Sequence, residues 1–334
     1  MRNICLTVEA DYDNSRIDAF LSEHLEELSR SYVQKLIKNG GVLVGQKPVR
    51  ASFRVKEGDR VILSLPDDRE PDIQPEDIPL DILYEDEDLL VVNKPKGMVV
   101  HPAPGHMEHT LVNALLYHCR GSLSGINGVL RPGIVHRIDR DTTGALVVCK
   151  NDSTHRALAE QLAVHSIQRK YRAIVHGCFR EDRLPQAVSP KDRPFLSCEW
   201  EAGAGQNGKE LRFCIRGNIG RDKNDRKKMT VVDAASGKPA VTHVTVLRTM
   251  KEYSYIECEL ETGRTHQIRV HMAHIGHPVL GDPVYGPARC PVKGLEGQTL
   301  HAMTLGFIHP GTGKYLECSA ELPEYFQKLL KTLP

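Results

Sequence analysis

The chain has 334 residues, 40% of them hydrophobic and 26% charged: a soluble globular composition, long enough for two domains, without the roughly 18–20-residue apolar run of a membrane span. Its 44 lysines and arginines nearly cancel 43 aspartates and glutamates, for a net charge of +1, so a nucleic-acid surface has to gather its positive charge locally. Nine cysteines, an odd number without a CxxC pair, argue against a disulfide framework or a cysteine zinc site and for a reducing cytoplasm, and the opening MRNICLTVEADYDN turns polar too soon for a signal peptide.

In chain order, Ile17, Phe20, Leu21, Leu25 and Leu28 predict a helix beginning at Ser15, with Asp18 three residues on as a capping box. Ser29 or Ser31 caps a second helix carrying Val33, Leu36 and Ile37, which Gly40-Gly41 ends. Short strands are predicted at Val42-Leu43-Val44 and Val61-Ile62-Leu63, with Gly45-Gln46 suited to a type II′ hairpin. The order helix, helix, hairpin, with Arg16-Ile17-Asp18, Ser29-Arg30-Ser31, Ile37, Gly40, Val42 and Gly58-Asp59 in matching places, resembles the RNA-binding domain first defined in ribosomal small-subunit protein four. The resemblance implies a small RNA-binding domain over 1–64. Arg30, Lys35 and Lys38, with Lys47, Arg50 and Arg54, then form a phosphate-facing patch. An ordinary solvated basic face is the other reading of these residues.

Residues 65–80 are acidic and punctuated by Pro66, Pro71, Pro75 and Pro79, and read as an extended linker. A second domain follows over 81–334. Strands at Ile82-Leu83-Tyr84 and Leu89-Leu90-Val91-Val92 flank the acidic turn Glu85-Asp86-Glu87-Asp88, which reads as solvated rather than metal-binding. A short helix is predicted over 110–117, a buried strand over 144–149, a helix over about 153–165 and an alternating strand over 169–175. Residues 181–216 read as irregular. Further strands are predicted from Gly237 and over 255–260, then a helix over about 265–275 and an amphipathic helix after Leu322-Pro323.

The chemistry concentrates in RPGIVHRIDRDTTGALVVCK, residues 131–150, where Asp139 stands between two arginines in a loop entering a strand. A surface aspartate paired with Arg137 or Arg140 is the plain reading. The wording HRIDRDTTG is more particular, and closely resembles the HRLDxxTSG signature of the RluA/RluD family of pseudouridine synthases. Asn93-Lys94-Pro95-Lys96-Gly97 through His101-Pro102, Gly220-Arg221-Asp222 with Arg226-Lys227-Lys228-Met229, and Gly237-Lys238-Pro239-Ala240 resemble further family segments. So do Thr262-Gly263-Arg264-Thr265-His266-Gln267-Ile268-Arg269-Val270-His271 and Gly281-Asp282-Pro283-Val284-Tyr285-Gly286.

That resemblance spans nearly the whole chain. It implies an α+β catalytic domain with a mixed, largely antiparallel sheet and a central cleft. It further implies isomerisation of uridine to pseudouridine in RNA, with Asp139 as nucleophile, Arg269 as its ionic partner and Tyr171 against the uracil. Burial disfavours an ionised carboxylate and a neighbouring arginine favours it, which is the physical need for Arg269. Arg137 would fill the space left by a flipped base, and Arg264 and His266 would meet phosphate or ribose at the mouth. The chemistry calls for no cofactor or metal, and no GxGxxG or Walker loop is present. His266, His271, His274 and His277 have partly helical spacing, but no cysteine or acid completes a zinc set beside them.

The expected partner is RNA, foremost large-subunit ribosomal RNA, for a monomeric cytoplasmic enzyme. The same chemistry on transfer or messenger RNA, or a non-catalytic ribosome-assembly factor, are the alternatives.

Overall fold

Short amphipathic helices are marginal alone and need a packing partner. In the first 65 residues that partner is a small sheet. The computed structural model describes residues 2–25, 30–65, 73–103, 106–126, 131–180, 185–189, 191, 193–201, 211–225 and 227–334. The chain divides into two compact units, Met1–Glu70 and Pro71–Pro334.

The first unit runs β1 (Arg2–Thr7), α1 (Ile17–His24), α2 (Arg30–Lys38), β2 (Val42–Val44), β3 (Lys47–Pro48) and β4 (Arg60–Leu65), with sheet order β1-β4-β2-β3. Ile17, Phe20, Leu21, Val33, Leu36 and Ile37 pack with Val42, Val61 and Leu63 into its core. The helices fall where periodicity places them, although Leu28 and Ser29 lie outside the described residues. Two expectations are corrected. Asp18 caps nothing: it is fully buried, accepting from Arg16 Nε (3.0 Å), Arg30 Nε (3.2 Å) and Gln34 Nε2 (2.6 Å). Gly45 and Gln46 both have positive φ (55° and 70°), the mark of a type I′ rather than a type II′ hairpin. Strand β1, paired with β4 along its length, was not foreseen, because Cys5 and the half-covered Ile4 and Leu6 give only weak alternation.

The second unit opens with residues 73–81, which have no helix or strand. Ile73 is nevertheless buried in the unit's core, and Glu76 N donates to Asn113 O (3.0 Å). Part of the expected linker is therefore a strap on this unit, while 66–72 lie outside the described residues. Elements then follow as β5 (Ile82–Glu85), β6 (Leu89–Lys94), α3 (Leu111–Cys119), β7 (Thr143–Cys149), α4 (Asp152–Ala163), β8 (Gln168–His176), β9 (Leu196–Trp200) and β10 (Arg212–Arg221). After them come β11 (Met229–Val232), β12 (Lys238–Thr249), β13 (Tyr253–Leu260), α5 (Gln267–His274), β14 (Leu300–Ile308), β15 (Tyr315–Ser319) and α6 (Glu324–Thr332).

Among the described residues one sheet of 11 strands carries the unit, in the order β11-β10-β12-β13-β8-β14-β7-β6-β5, with β9 on β10 and β15 on β14. Its one parallel ladder among the described strands is β14 with β7. This is the mixed, largely antiparallel α+β sheet that the family resemblance implies. Strand β9 and the start of β10, Arg212 to Arg216, correct the reading of 181–216 as irregular throughout. Leu196 to Trp200 pairs with β10, and Trp200 sits edge-on to Phe213 at 6.3 Å. No described helix is long and apolar enough to cross a membrane.

Candidate active site

All seven residues of β7 are buried, between β14 and β6 inside the sheet, which fixes where the preceding loop must end. Gly144 has φ +108°, and a Cβ there would lie 2.2 Å from Ala302 O of β14. Only glycine permits that approach, so Thr142-Thr143-Gly144 sets the strand's start. Thr142 N donates back to Asp139 O (3.1 Å), closing the turn on which the carboxylate is mounted.

The other side of the loop is held by Lys94. It is fully buried, and its ammonium donates to the carbonyls of Pro95 (2.9 Å), Met98 (2.8 Å) and Arg140 (2.8 Å). Burial pushes Lys94 down to about 7, with Asp141 and Asp139 pulling it back. Three carbonyl acceptors nevertheless match the three N–H bonds of the charged form. Lys94→Met is expected to leave those carbonyls unpaired, at about 1–3 kcal/mol each before relaxation, and to lower turnover by loosening the loop. Denaturant melts and single-turnover rates check this; an unchanged rate in a destabilised protein would confine Lys94 to folding.

His136, just upstream, accepts from Val147 N through Nε2 (3.2 Å). Burial pushes it down to about 3, so it braces the loop as a neutral imidazole.

Facing Asp139 is α5. Arg269, 4% exposed, donates from Nη1 to Asp139 Oδ2 (2.8 Å). Its Nε and Nη2 form a fork onto Asp282 Oδ2 (2.7 Å) and Oδ1 (2.9 Å). Asp282 also accepts from the amides of Val284 (2.8 Å) and Tyr285 (3.1 Å). The guanidinium is thus oriented from behind and offers one remaining edge to the cavity. Burial disfavours the charge on Arg269, and the two carboxylates more than restore it.

His266, expected at the mouth, lies instead against the carboxylate, its Nε2 3.7 Å from Asp139 Oδ1. Tyr285 explains the placement. Its hydroxyl accepts from Met229 N (2.8 Å) and is hydrogen-bonded to His266 Nδ1 (2.8 Å), which turns Nε2 toward Asp139. Burial lowers the His266 pKa, with Asp139 opposing.

Tyr171 projects from β8, 8% exposed. Burial raises its phenol above the ordinary value, against the pull of Arg169, so at neutral pH it offers a flat face more readily than a base. Arg169 is buried behind it, donating to Glu261 O (3.0 Å). A Cβ on Gly263 would sit 2.5 Å from Arg169 Nη1, so any larger residue there would displace the guanidinium tip.

Asp139, Tyr171, Arg269, Arg137, Arg264 and His266 all line one pocket, which opens onto a cleft of about 460 Å³ bordered by α4 and the segment 263–266. Arg264 is also tied to Pro239 O through Nε (2.9 Å). Arg30, Lys35 and Lys38 belong to the other unit. There Lys35 and Lys38 are exposed on α2, while Arg30 is engaged with Asp18. Lys227 and Lys228 of the basic stretch lie in the β10–β11 connection, and Arg226 lies outside the described residues. The four histidines of 266–277 go separate ways: His271 to Thr242, His274 to Val270 O, His277 to His176 O and His266 to Tyr285.

The sequence matches the family model for RNA pseudouridylate synthase over residues 88–274. The chain belongs to that family. The S4 domain model matches residues 15–61, within the first unit. The chain is 46% identical over 333 residues to YlyB of Bacillus subtilis (strain 168), an uncharacterized RNA pseudouridine synthase, covering 100% of this chain and 99% of that protein. It is 46% identical over 326 residues to the ribosomal large subunit pseudouridine synthase D of Zymomonas mobilis, covering 95% and 93%. Human RNA pseudouridylate synthase domain containing 1 shares the fold, with a TM-score of 0.52 at 23% identity over 76% of this chain and 94% of that one.

For a pseudouridine synthase, the geometry adds three residues that the sequence reading left without a role: Lys94, Asp282 and Tyr285. Each lies inside a motif quoted there. A lysine or an aspartate before a proline reads as a turn residue, and only the fold shows them converging on one loop and one guanidinium.

Proposed function

We propose that this enzyme converts specific uridines of large-subunit ribosomal RNA to pseudouridine by a cofactor-free route with Asp139 as nucleophile. The observation that carries the reading is the Asp139 carboxylate held at 2.8 Å by Arg269 in a pocket with Tyr171 as a wall. Pseudouridine formation breaks the bond from uracil N1 to the ribose, turns the base and rejoins it through C5, which gives up its proton while the freed N1 takes one. The net change neither oxidises nor phosphorylates anything, so a carboxylate, a cation to orient it and a flat wall for the base suffice. Arg137 stands at the rim to occupy the stack that the flipped uridine leaves. Relatives named for the ribosomal large subunit in Zymomonas mobilis and Neisseria meningitidis support the choice of RNA, as does the appended S4 domain. The enzyme acts in the cytoplasm on this reading.

The test is chemical mapping of pseudouridine in ribosomal RNA from cells lacking the protein, complemented with wild type or with Asp139→Asn. Sites that vanish and return only with wild type establish activity and substrate together. An unchanged ribosomal map moves the substrate to another RNA, with transfer RNA next to be mapped.

Lys35 and Lys38 are assigned to phosphate contact. Lys35→Glu with Lys38→Glu is expected to weaken RNA binding and flatten its log–log salt dependence by about 2. An identical salt slope would make this helix face irrelevant to capture.

A further inference from the structure

On the sheet face opposite Tyr171, three strands bring a carboxylate, a thiol and an imidazole together. Cys214 of β10 and His243 of β12 are direct cross-strand partners. Glu201, one residue beyond β9, donates its amide to Arg212 O (3.1 Å), which places it on the same face. One ligand atom from each of the three lies within 4.8 Å of the others. His243 Nδ1 meets Glu201 Oε1, and its Nε2 meets Glu261 Oε1 at 2.6 Å.

We propose that Glu201, Cys214 and His243 form a binding site for a zinc-type divalent cation, with a fourth position open to solvent. The donor set selects the metal. A thiolate favours zinc-like ions over magnesium or calcium, and one sulfur, one imidazole nitrogen and one carboxylate oxygen suit tetrahedral zinc. Bonds of about 2.0–2.3 Å put tetrahedral ligand atoms roughly 3.3–3.8 Å apart, so side-chain rotation has to part Nδ1 and Oε1, which are in hydrogen-bond contact, and bring any wider pair in by no more than about 1 Å. The ring's other nitrogen points the same way. A metal-bound histidine commonly donates its second N–H to a carboxylate, and Glu261 is in that place.

Charge supplies a third reason. The site borders a cleft of about 500 Å³ that is also lined by Glu257 and Glu259. Those two pair with Arg172 (2.9 Å) and Lys170 (4.0 Å), Glu201 and Glu261 both meet the one imidazole, and Arg212 lines the same cleft. The comparable group of Asp86, Asp88 and His309 carries no such inference. Its carboxylates are taken up by Tyr84, by the Asp88 and Leu89 amides and by Asn151. A bound ion at Cys214 would tie β9 to β10 and β12 on the sheet face opposite Tyr171.

The test uses the full chain, reduced and stripped with a chelator, and titrated with Co²⁺ and then Zn²⁺. Expected are one equivalent of Co²⁺ giving a thiolate-to-cobalt charge-transfer band, its loss on displacement by Zn²⁺, and a melting temperature raised by Zn²⁺. Cys214→Ser should abolish the band. Glu201→Gln, at a partly exposed position that the fold tolerates, should weaken binding at least about tenfold and reduce the thermal shift. Wild-type protein with no band overturns the proposal, and so does Glu201→Gln protein that binds as tightly as wild type. Neither readout depends on pseudouridine formation, so this proposal and the enzymatic one fail separately.

Discussion

Asp139→Asn is expected to lower pseudouridine formation by at least about a thousandfold, the scale on which removing a covalent nucleophile acts, while leaving the fold nearly intact. The second half of that expectation comes from the neighbours. Arg269 has two carboxylate partners, and the one that is fully buried is Asp282, with a side-chain exposure of 0% against 19% for Asp139. When Asp139 loses its charge, Arg269 keeps its fork onto Asp282 and no buried cation is left unpaired. The amide oxygen of asparagine still accepts from Nη1. The loop itself is held by Thr142 N, Gly97 N and Lys94 through backbone carbonyls, none of which the substitution touches. Turnover on RNA, a thermal melt and RNA affinity together check this. A variant that is folded, binds RNA and turns over at the wild-type rate would remove Asp139 from the chemistry.

Much of this arrangement is legible in the sequence because its parts are local. Periods of 3.6 and 2 place most helices and strands, and the HRIDRDTTG and TGRTHQIRVH wordings place Asp139 and Arg269. What is not legible depends on partners far along the chain. Asp18 looks like a cap because Ser15 precedes it, yet its use is decided by Arg30 and Gln34 on the next helix. His266 looks like a rim residue until Tyr285 hydrogen-bonds the ring from behind. Residues 73–80 look like linker because of their prolines, but Ile73 and Glu76 are anchored on the second unit. Strand β9 is short, and its alternation ends in an exposed Trp200, so only its ladder with β10 identifies it. A Glu–Cys–His group spread over three strands leaves no spacing motif at all.

The second large effect is expected at the ion network behind the nucleophile, and its sign separates orientation from stability. Arg269→Ala strands Asp282, a carboxylate with no exposed side-chain surface, and should cost about 3–5 kcal/mol, the usual penalty for breaking a buried pair from one side. Arg269→Met combined with Asp282→Asn removes both charges. Since replacing a whole buried pair is often neutral, the double variant should recover most of that loss. Its turnover should stay low, because Asp139 then has no cation to hold it. Acid adds an independent check. Burial raises the Asp282 pKa, but Arg269 and the Val284 and Tyr285 amides overcome it and leave the pKa below the ordinary value. A carboxylate so depressed contributes stability that is complete above its unfolded pKa of about 3.9 and fades as pH falls through the folded value. Wild type should therefore lose stability below about pH 4 more steeply than the double variant. Denaturant titrations at pH 7 and pH 3.5 measure both effects. A double variant no more stable than Arg269→Ala would show that the guanidinium acts through packing, and recovered turnover in it would show that Asp139 needs no cation.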